Sequence, residues 1–204
     1  WVFDGWRAQS PDLQKMQETT MRTPHLDNLY KTKTIPLFQE KFGKSSPMAV
    51  PRIEKVVVNV GVGRVKDEKE REEVRKFLEL VTGQKPEVRP ARVAIASFKI
   101  RQGAVVGYRV TLRGKRMREF LERLVHIAIP RMRDFRGLSD TALDERGNLH
   151  IGIREHIIFP EMIGEDIRRV FSLQVSVVTN AKTRERGEAL FRSLGFPLSR
   201  VEKK

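Results

Sequence analysis

The sequence predicts an α+β domain with a largely antiparallel sheet, helices on one face of that sheet, and an opposite face left open for a ligand. Runs of β-branched residues alternate with helical patterns in the order β-α-β-β-α-β-β-α. Several of those runs alternate apolar and polar residues, as half-buried strands do. With 204 residues, 39% of them apolar, the chain suits a single domain at 23–204 behind an N-terminal extension at 1–22.

Local signals predict the first three elements. Thr23-Pro24 is typical of a helix start, and Pro36 is expected to kink or interrupt that helix. The run from Arg52 to Val60 is rich in β-branched residues and predicts a strand that ends in a glycine turn. Asp67 to Thr82 has apolar residues at helical spacing and closes on Gly83, which suits a left-handed helix stop.

A long hairpin is predicted next. Its first half, 88–100, is a strand or an extended arm, and Gly103 separates it from the second half, a strand at 105–112. Because successive strand side chains point to opposite faces, the second half has an apolar face and a cationic one. The apolar face carries Tyr108, Val110 and Leu112, and the cationic face carries Arg109, Thr111 and Arg113. The hairpin therefore predicts one face in the core and one face available to a ligand.

The C-terminal half is predicted to contain a helix, a long loop, two strands and a last helix. Apolar spacing gives a helix at 117–129 that stops at Pro130. The charged stretch 131–148 is too long for a simple connector and is expected to be functional. Alternation at 149–153 and 173–177 predicts two strands, and 183–194 predicts the closing helix.

Positive charge is concentrated in one quarter of the chain. The formal net charge is +14, and residues 85–136 hold 14 Lys and Arg against four Asp and Glu. Such a surface favours polyanions, because neutralising phosphates releases condensed counterions. Phe98 and Phe135 lie beside basic residues and could stack on bases, although packing in the core is the favoured interpretation for each.

Motifs for catalysis, cofactors and metals are not found. The turn Asn59 to Gly63 lacks the third glycine of a dinucleotide fingerprint, since Lys66 stands there. Gly43-Lys44-Ser45 lacks the first glycine of a phosphate-binding loop. The four histidines have no zinc-site spacing, there is no cysteine, and no apolar run approaches the roughly 18 residues of a membrane span. The sequence predicts no enzyme, cofactor, metal site or membrane association.

Several sequence blocks occur in the order of a known family. They are VPRIEKVVVNVGVG at 50–63, TGQKP at 82–86, FKIRQG at 98–103, VTLRG at 110–114, IPRMRDFRGL at 129–138 and REHIIFPE at 154–161, followed by TNAKT and LGFP. Over residues 22–200 the chain resembles the bacterial-type L-five family of large-subunit ribosomal proteins. The alternatives are an RNA-modifying or nucleotide-dependent enzyme and a regulatory RNA-binding module acting off the ribosome.

The resemblance implies that a concave sheet face holds a stem-loop of 5S ribosomal RNA in the central protuberance, beside large-subunit rRNA and other central-protuberance proteins. Asn59, Gln84, Thr111 and Arg113 match the family's RNA-contacting positions. Arg109 and Lys115 are added as basic neighbours on and beside the same strand. Arginine and lysine would neutralise phosphates, while the neutral polar groups would bond to backbone oxygens and 2′-hydroxyls.

The resemblance further implies two outward contacts. The arm at 89–103 would reach peptidyl-site tRNA through Arg89, Arg92, Lys99 and Arg101. The loop at 131–148 would form an intersubunit bridge to small-subunit ribosomal protein thirteen through Arg133, Arg136, Asp144 and Arg146. In that loop the chain has ALDERGNL where the family usually has SFDGRGNY, a loss of one aromatic residue and one glycine. The arm carries fewer basic residues than is typical of the family.

The N-terminal sequence predicts the cellular compartment in which the protein acts. Residues 1–20 have no counterpart in typical bacterial members, and the chain begins with Trp1. Both features favour an organellar ribosome, with the mitochondrial ribosome preferred and a bacterial cytoplasm as the alternative.

Overall fold

The computed structural model of the chain describes residues 26–43, 46–65, 67–133, 135–162 and 170–199. The N-terminal extension and the helix start at Thr23-Pro24 lie outside these ranges. Five strands form one antiparallel sheet of order β2-β3-β1-β5-β4. They are β1 Ile53–Gly61, β2 Glu87–Pro90, β3 Val105–Leu112, β4 Leu149–Ile153 and β5 Leu173–Thr179.

The α-helices of the described residues are α1 Leu26–Leu29, α2 Ile35–Lys41, α3 Glu68–Thr82, α4 Gly114–Arg123 and α5 Arg184–Ser193. Short 3-10 turns lie at Pro47–Ala49, Ala96–Phe98, Ile129–Arg131, Asp140–Ala142, His156–Ile158 and Pro160–Met162. The predicted α+β class and the order of strands and helices are confirmed.

One hydrophobic cluster joins the helices to a single face of the sheet. Val56, Val58 and Val60 of β1 are buried, and the inward residues of β3, β4 and β5 are buried beside them. The helices contribute aromatic side chains, including Phe77 of α3 and Phe120 of α4. Strand alternation therefore commits every second side chain to the core and leaves the others on an open face.

Two predicted helices contain a π turn near a proline. Pro36 has no amide hydrogen, and the helix widens into a π turn at Tyr30–Thr34 immediately before α2, with the Ile35 amide donating to the Tyr30 carbonyl. The helix predicted at 117–129 begins earlier, at Gly114, and passes through a second π turn at Leu124–Ala128. Pro130 sits inside the following 3-10 turn rather than after the helix, because a first-turn position needs no amide hydrogen.

The segment 88–100, predicted as a strand or an extended arm, is a strand only over its first residues and an arm beyond them. Strand β2 ends at Pro90, where the register shifts and the proline removes a donor from the ladder. The rest of the segment is a narrow hairpin closed by backbone bonds between Ala91 and Ala104 and between Ile95 and Ile100. This hairpin, residues 91–104, is called the arm.

Candidate nucleic-acid interface

Strand register determines which side chains share the open face of the sheet. Asn59 of β1 lies opposite Arg109 of β3 on one side and opposite Gln174 of β5 on the other. Arg109 in turn faces Glu87 of β2, and Gln174 faces Gly152 of β4. Because directly opposed residues of antiparallel strands lie on the same face, these five form a row across the sheet.

Gln84 and Thr111, two residues singled out from the resemblance, are in contact. The Gln84 side-chain amide donates to the Thr111 carbonyl at 3.3 Å. Gln84 is placed there by the end of α3, where Gly83 adopts a left-handed conformation with φ 65° and the Thr82 hydroxyl donates to the Gln84 carbonyl. The predicted helix stop therefore positions a polar side chain beside β3.

Arg113 and Lys115 lie just beyond the end of β3. Arg113 is exposed and forms the N-terminal boundary of α4 in an extended conformation. Lys115 is 85% exposed and lies 3.7 Å from Glu119, one helical turn later. An exposed ion pair of this kind is weak, so the ammonium is available to another anion.

Glu87 changes the electrostatics that the sequence predicted for Arg109. Its carboxylate accepts from Arg109 at 2.7 Å and from Arg89 at 2.9 Å. Bonds from Arg109 and then from Arg89 lower the pKa of Glu87. The three groups together carry one net positive charge, so Arg109 is a weaker phosphate partner than its position suggests, and Arg89 belongs to this edge rather than to the arm's tip.

The arm exposes apolar and basic groups together. Phe98 is 71% exposed, Val93 and Ile95 are also exposed, and Lys99 holds a left-handed conformation with φ 53° at the turn. The core-packing interpretation is therefore wrong for Phe98, whereas Phe135 is half-buried against the core cluster as expected. Arg92 and Arg101 are exposed on the same arm.

In the loop at 131–148, Asp144 organises a tight turn. Its carboxylate accepts from the Asn148 backbone at 2.7 Å, the Asn148 side chain at 2.8 Å and the Arg146 backbone at 3.0 Å. Burial alone raises the pKa of Asp144, but these bonds and the nearby His150 outweigh it and lower the pKa overall. The carboxylate is thus engaged within the loop, while the side chains of Arg133, Arg136 and Arg146 are exposed.

Two histidines, His156 and His150, pack against other side chains of the domain. His156 is buried and stacks on Phe171 with ring centroids 3.9 Å apart, and burial lowers the pKa of its imidazole. His150 lies on the open face with its Nδ1 2.9 Å from the Ser176 hydroxyl. Within the described ranges no three metal-binding side chains cluster and no helix is long and apolar enough to cross a bilayer.

Strand alternation predicted that Arg109 and Thr111 share one face, and the resemblance added Asn59, which the structure places on that face. Two further residues of the face were not predicted. Gln174 and Ser176 of β5 share the open face, and their alternation with buried Leu173 and Val175 was visible in the sequence. The pairing of Glu87 with Arg109 depends on the register of β2 against β3, which the sequence pattern does not give.

Comparison with known proteins adds an independent result. A family model described as "Ribosomal protein L5" matches residues 46–101, and a second model, for the C-terminus of the same ribosomal protein family, matches residues 105–198. A protein of Chlorobium phaeobacteroides named "Large ribosomal subunit protein uL5" is 47% identical over 185 residues, 90% of this chain and 94% of the relative. Proteins with the same name from Rubrobacter xylanophilus and Shewanella denitrificans are 48% and 49% identical, covering 84% and 86% of this chain and 96% and 98% of their own lengths.

Proposed function

The chain belongs to the ribosomal protein L5 family, and we propose that it binds 5S rRNA through the open face of its sheet. Members of this family are large-subunit ribosomal proteins and not enzymes, and this chain is one of them. Membership of this family therefore implies rRNA and the neighbouring proteins of the large subunit as partners.

The observation that supports this proposal is the grouping of polar side chains on the side of the sheet that the described residues leave uncovered. Asn59, Arg109 and Thr111 share that side, Gln84 bonds to the Thr111 backbone, and Arg113 follows at the strand's end. The opposite side is filled by the core. A surface of amides, a hydroxyl and arginines suits RNA, whose phosphates take the cations and whose 2′-hydroxyls bond to neutral polar groups.

The arm and the loop at 131–148 are proposed to make the two outward contacts. An exposed Phe98 flanked by Arg92, Lys99 and Arg101 suits the backbone and stacked bases of peptidyl-site tRNA. The loop's exposed Arg133, Arg136 and Arg146 are proposed to meet small-subunit protein thirteen, with Asp144 holding the turn that presents Arg146.

The last part of the proposal concerns the cellular compartment of the ribosome. The relatives named above are all from bacteria, which fits the bacterial cytoplasmic alternative and gives no support to the mitochondrial one.

The 5S rRNA proposal is tested by filter binding of a bacterial 5S rRNA to the full chain. Arg113→Ala is expected to weaken binding by about 1–3 kcal/mol, the usual cost of losing a specific arginine contact. Lys115→Ala is the matched control, since it removes an equal charge two residues away and should mainly reduce the salt dependence. Equal affinity for wild type and Arg113→Ala would remove Arg113 from the interface, and no binding by the wild type would overturn the proposal.

A further inference from the structure

The open face extends past the residues that resemble family RNA contacts. Gln174 lies directly opposite Asn59, and Gly152 lies directly opposite Gln174 on the edge strand β4. Within the described residues neither the Asn59 nor the Gln174 side chain forms a hydrogen bond to protein, although both are exposed. Two neighbouring amides thus offer unused donors and acceptors at the centre of the sheet.

The row of side chains across the open face is interrupted at Gly152, although the fold does not require a glycine at this position. A Cβ built there would meet no heavy atom within 4 Å, and its backbone does not need a positive φ. Gly107 on β3 is different, because a Cβ there would lie 2.9 Å from the Val60 carbonyl oxygen. Close packing accounts for Gly107, whereas a strand glycine under open space is typical of a place where a ligand approaches the backbone.

Beyond Gly152 the sheet ends in a basic groove. This groove, of about 760 Å³, lies between β4 and the segment 132–142, and Gly152 itself lines it. Among the described residues that line it are three arginines, Arg133, Arg136 and Arg154, and one glutamate, Glu155. None of the three arginines has an ion-pair partner in the part of the chain that the structure describes. The charge balance favours a phosphate chain as the occupant.

We propose that the RNA bound near Asn59 continues across Gln174 and Gly152 and places a further phosphate beside Arg154, which follows β4 directly and lines the edge of this groove nearest the sheet. The inference rests on the proposed function and extends it to the half of the sheet formed by β5 and β4. Gln174 would bond to ribose or backbone oxygens, and the bare Gly152 backbone would let the sugar-phosphate chain lie against the sheet. Arg154 would neutralise a phosphate of that chain.

The first test of this inference replaces Gly152 with residues that have larger side chains. Gly152→Val should fold normally, since its side chain enters open space on a strand, and thermal unfolding checks this. The variant is expected to bind a bacterial 5S rRNA at least fivefold more weakly than wild type, with Gly152→Ala intermediate. Suppose that the wild type binds 5S rRNA and that Arg113→Ala binds it more weakly. An unchanged affinity of Gly152→Val would then overturn this inference and leave the proposed function intact.

Removing one positive charge from the groove distinguishes an RNA occupant from a protein occupant. Arg154→Ala is expected to lower the affinity severalfold and to reduce the slope of log affinity against log salt by about one. Arg75→Ala on α3 removes the same charge away from the open face and should leave the affinity close to wild type. If Arg154→Ala instead weakens subunit joining and leaves RNA affinity unchanged, the groove holds a protein and the inference fails.

Discussion

The arm at 91–104 and the loop at 131–148 are both long connections, but they are attached to the domain in different ways. The arm is closed by its own backbone bonds and exposes Val93, Ile95 and Phe98. The loop buries Leu138 and Leu143, and Leu138 pairs with the C-terminal segment. A self-contained hairpin can change its exposed residues without touching the core, whereas a docked loop transmits local changes to the fold.

Gly147 marks the point where the loop is locked to the domain. It has φ 80°, and a Cβ there would lie 2.7 Å from the Thr183 carbonyl oxygen and 2.9 Å from the Ala181 Cβ. Its carbonyl accepts from the Thr179 hydroxyl at 2.7 Å. A Cβ on Gly187 of α5 would in turn collide with the Gly147 Cα, so the two glycines permit this contact together.

Gly147→Ala is expected to have the largest effect on stability. Backbone strain and overpacking together should lower the free energy of unfolding by about 4 kcal/mol, measured by urea denaturation. Gly103→Ala in the arm is the matched control: its φ is also positive, at 83°, but a Cβ there meets nothing within 4 Å. The control should lose only about 1–2 kcal/mol. Equal losses at the two positions would contradict the contrast between a locked loop and a free arm.

The next largest effect is expected at Asp144, which holds the loop's turn. Asp144→Ala removes the acceptor of bonds from Arg146 and Asn148 and should cost about 1–3 kcal/mol. Because the pKa of Asp144 is lowered in the folded state, its contribution is complete above the ordinary carboxyl pKa and is lost as the pH falls through the lower folded value.

The pH dependence supplies the check on Asp144. The difference in unfolding free energy between wild type and Asp144→Asn should be constant above about pH 4 and should shrink below it. Glu145→Gln serves as the control, since Glu145 is the exposed neighbour in the same turn. A difference that grows on acidification would mean that the charged form of Asp144 does not stabilise the folded loop.

Sequence patterns predicted what depends on neighbours along the chain. Alternation placed Arg109 and Thr111 opposite the buried face of β3, and Gly83 ended α3 as expected. The contacts that decide the site come from residues far apart. Glu87 meets Arg109 only through the β2–β3 register, and Gly147 meets Gly187 from a distant part of the chain. No local period encodes such pairs, so the sequence could not predict them.

The resemblance supplied a different kind of information. It selected Asn59 and Gln84, whose residue types alone did not distinguish them from other surface amides. The structure then places Gln84 against the backbone of Thr111. It also places Gln174 beside Asn59, a residue that neither periodicity nor the resemblance had selected.

The smallest effect on stability is expected at the tip of the arm. Phe98→Ser removes a ring that is 71% exposed and leaves no cavity, so the free energy of unfolding should change by less than about 0.5 kcal/mol. Phe77→Ser, in the buried aromatic cluster of α3, is the control that should destabilise strongly. If the arm instead folds against the domain, Phe98→Ser will lower the urea midpoint, and the arm will have to be regarded as docked, like the loop. If the arm is free and serves RNA, large subunits carrying Phe98→Ser should keep their 5S rRNA and bind peptidyl-site tRNA more weakly, because only the stacking surface at the tip has been removed.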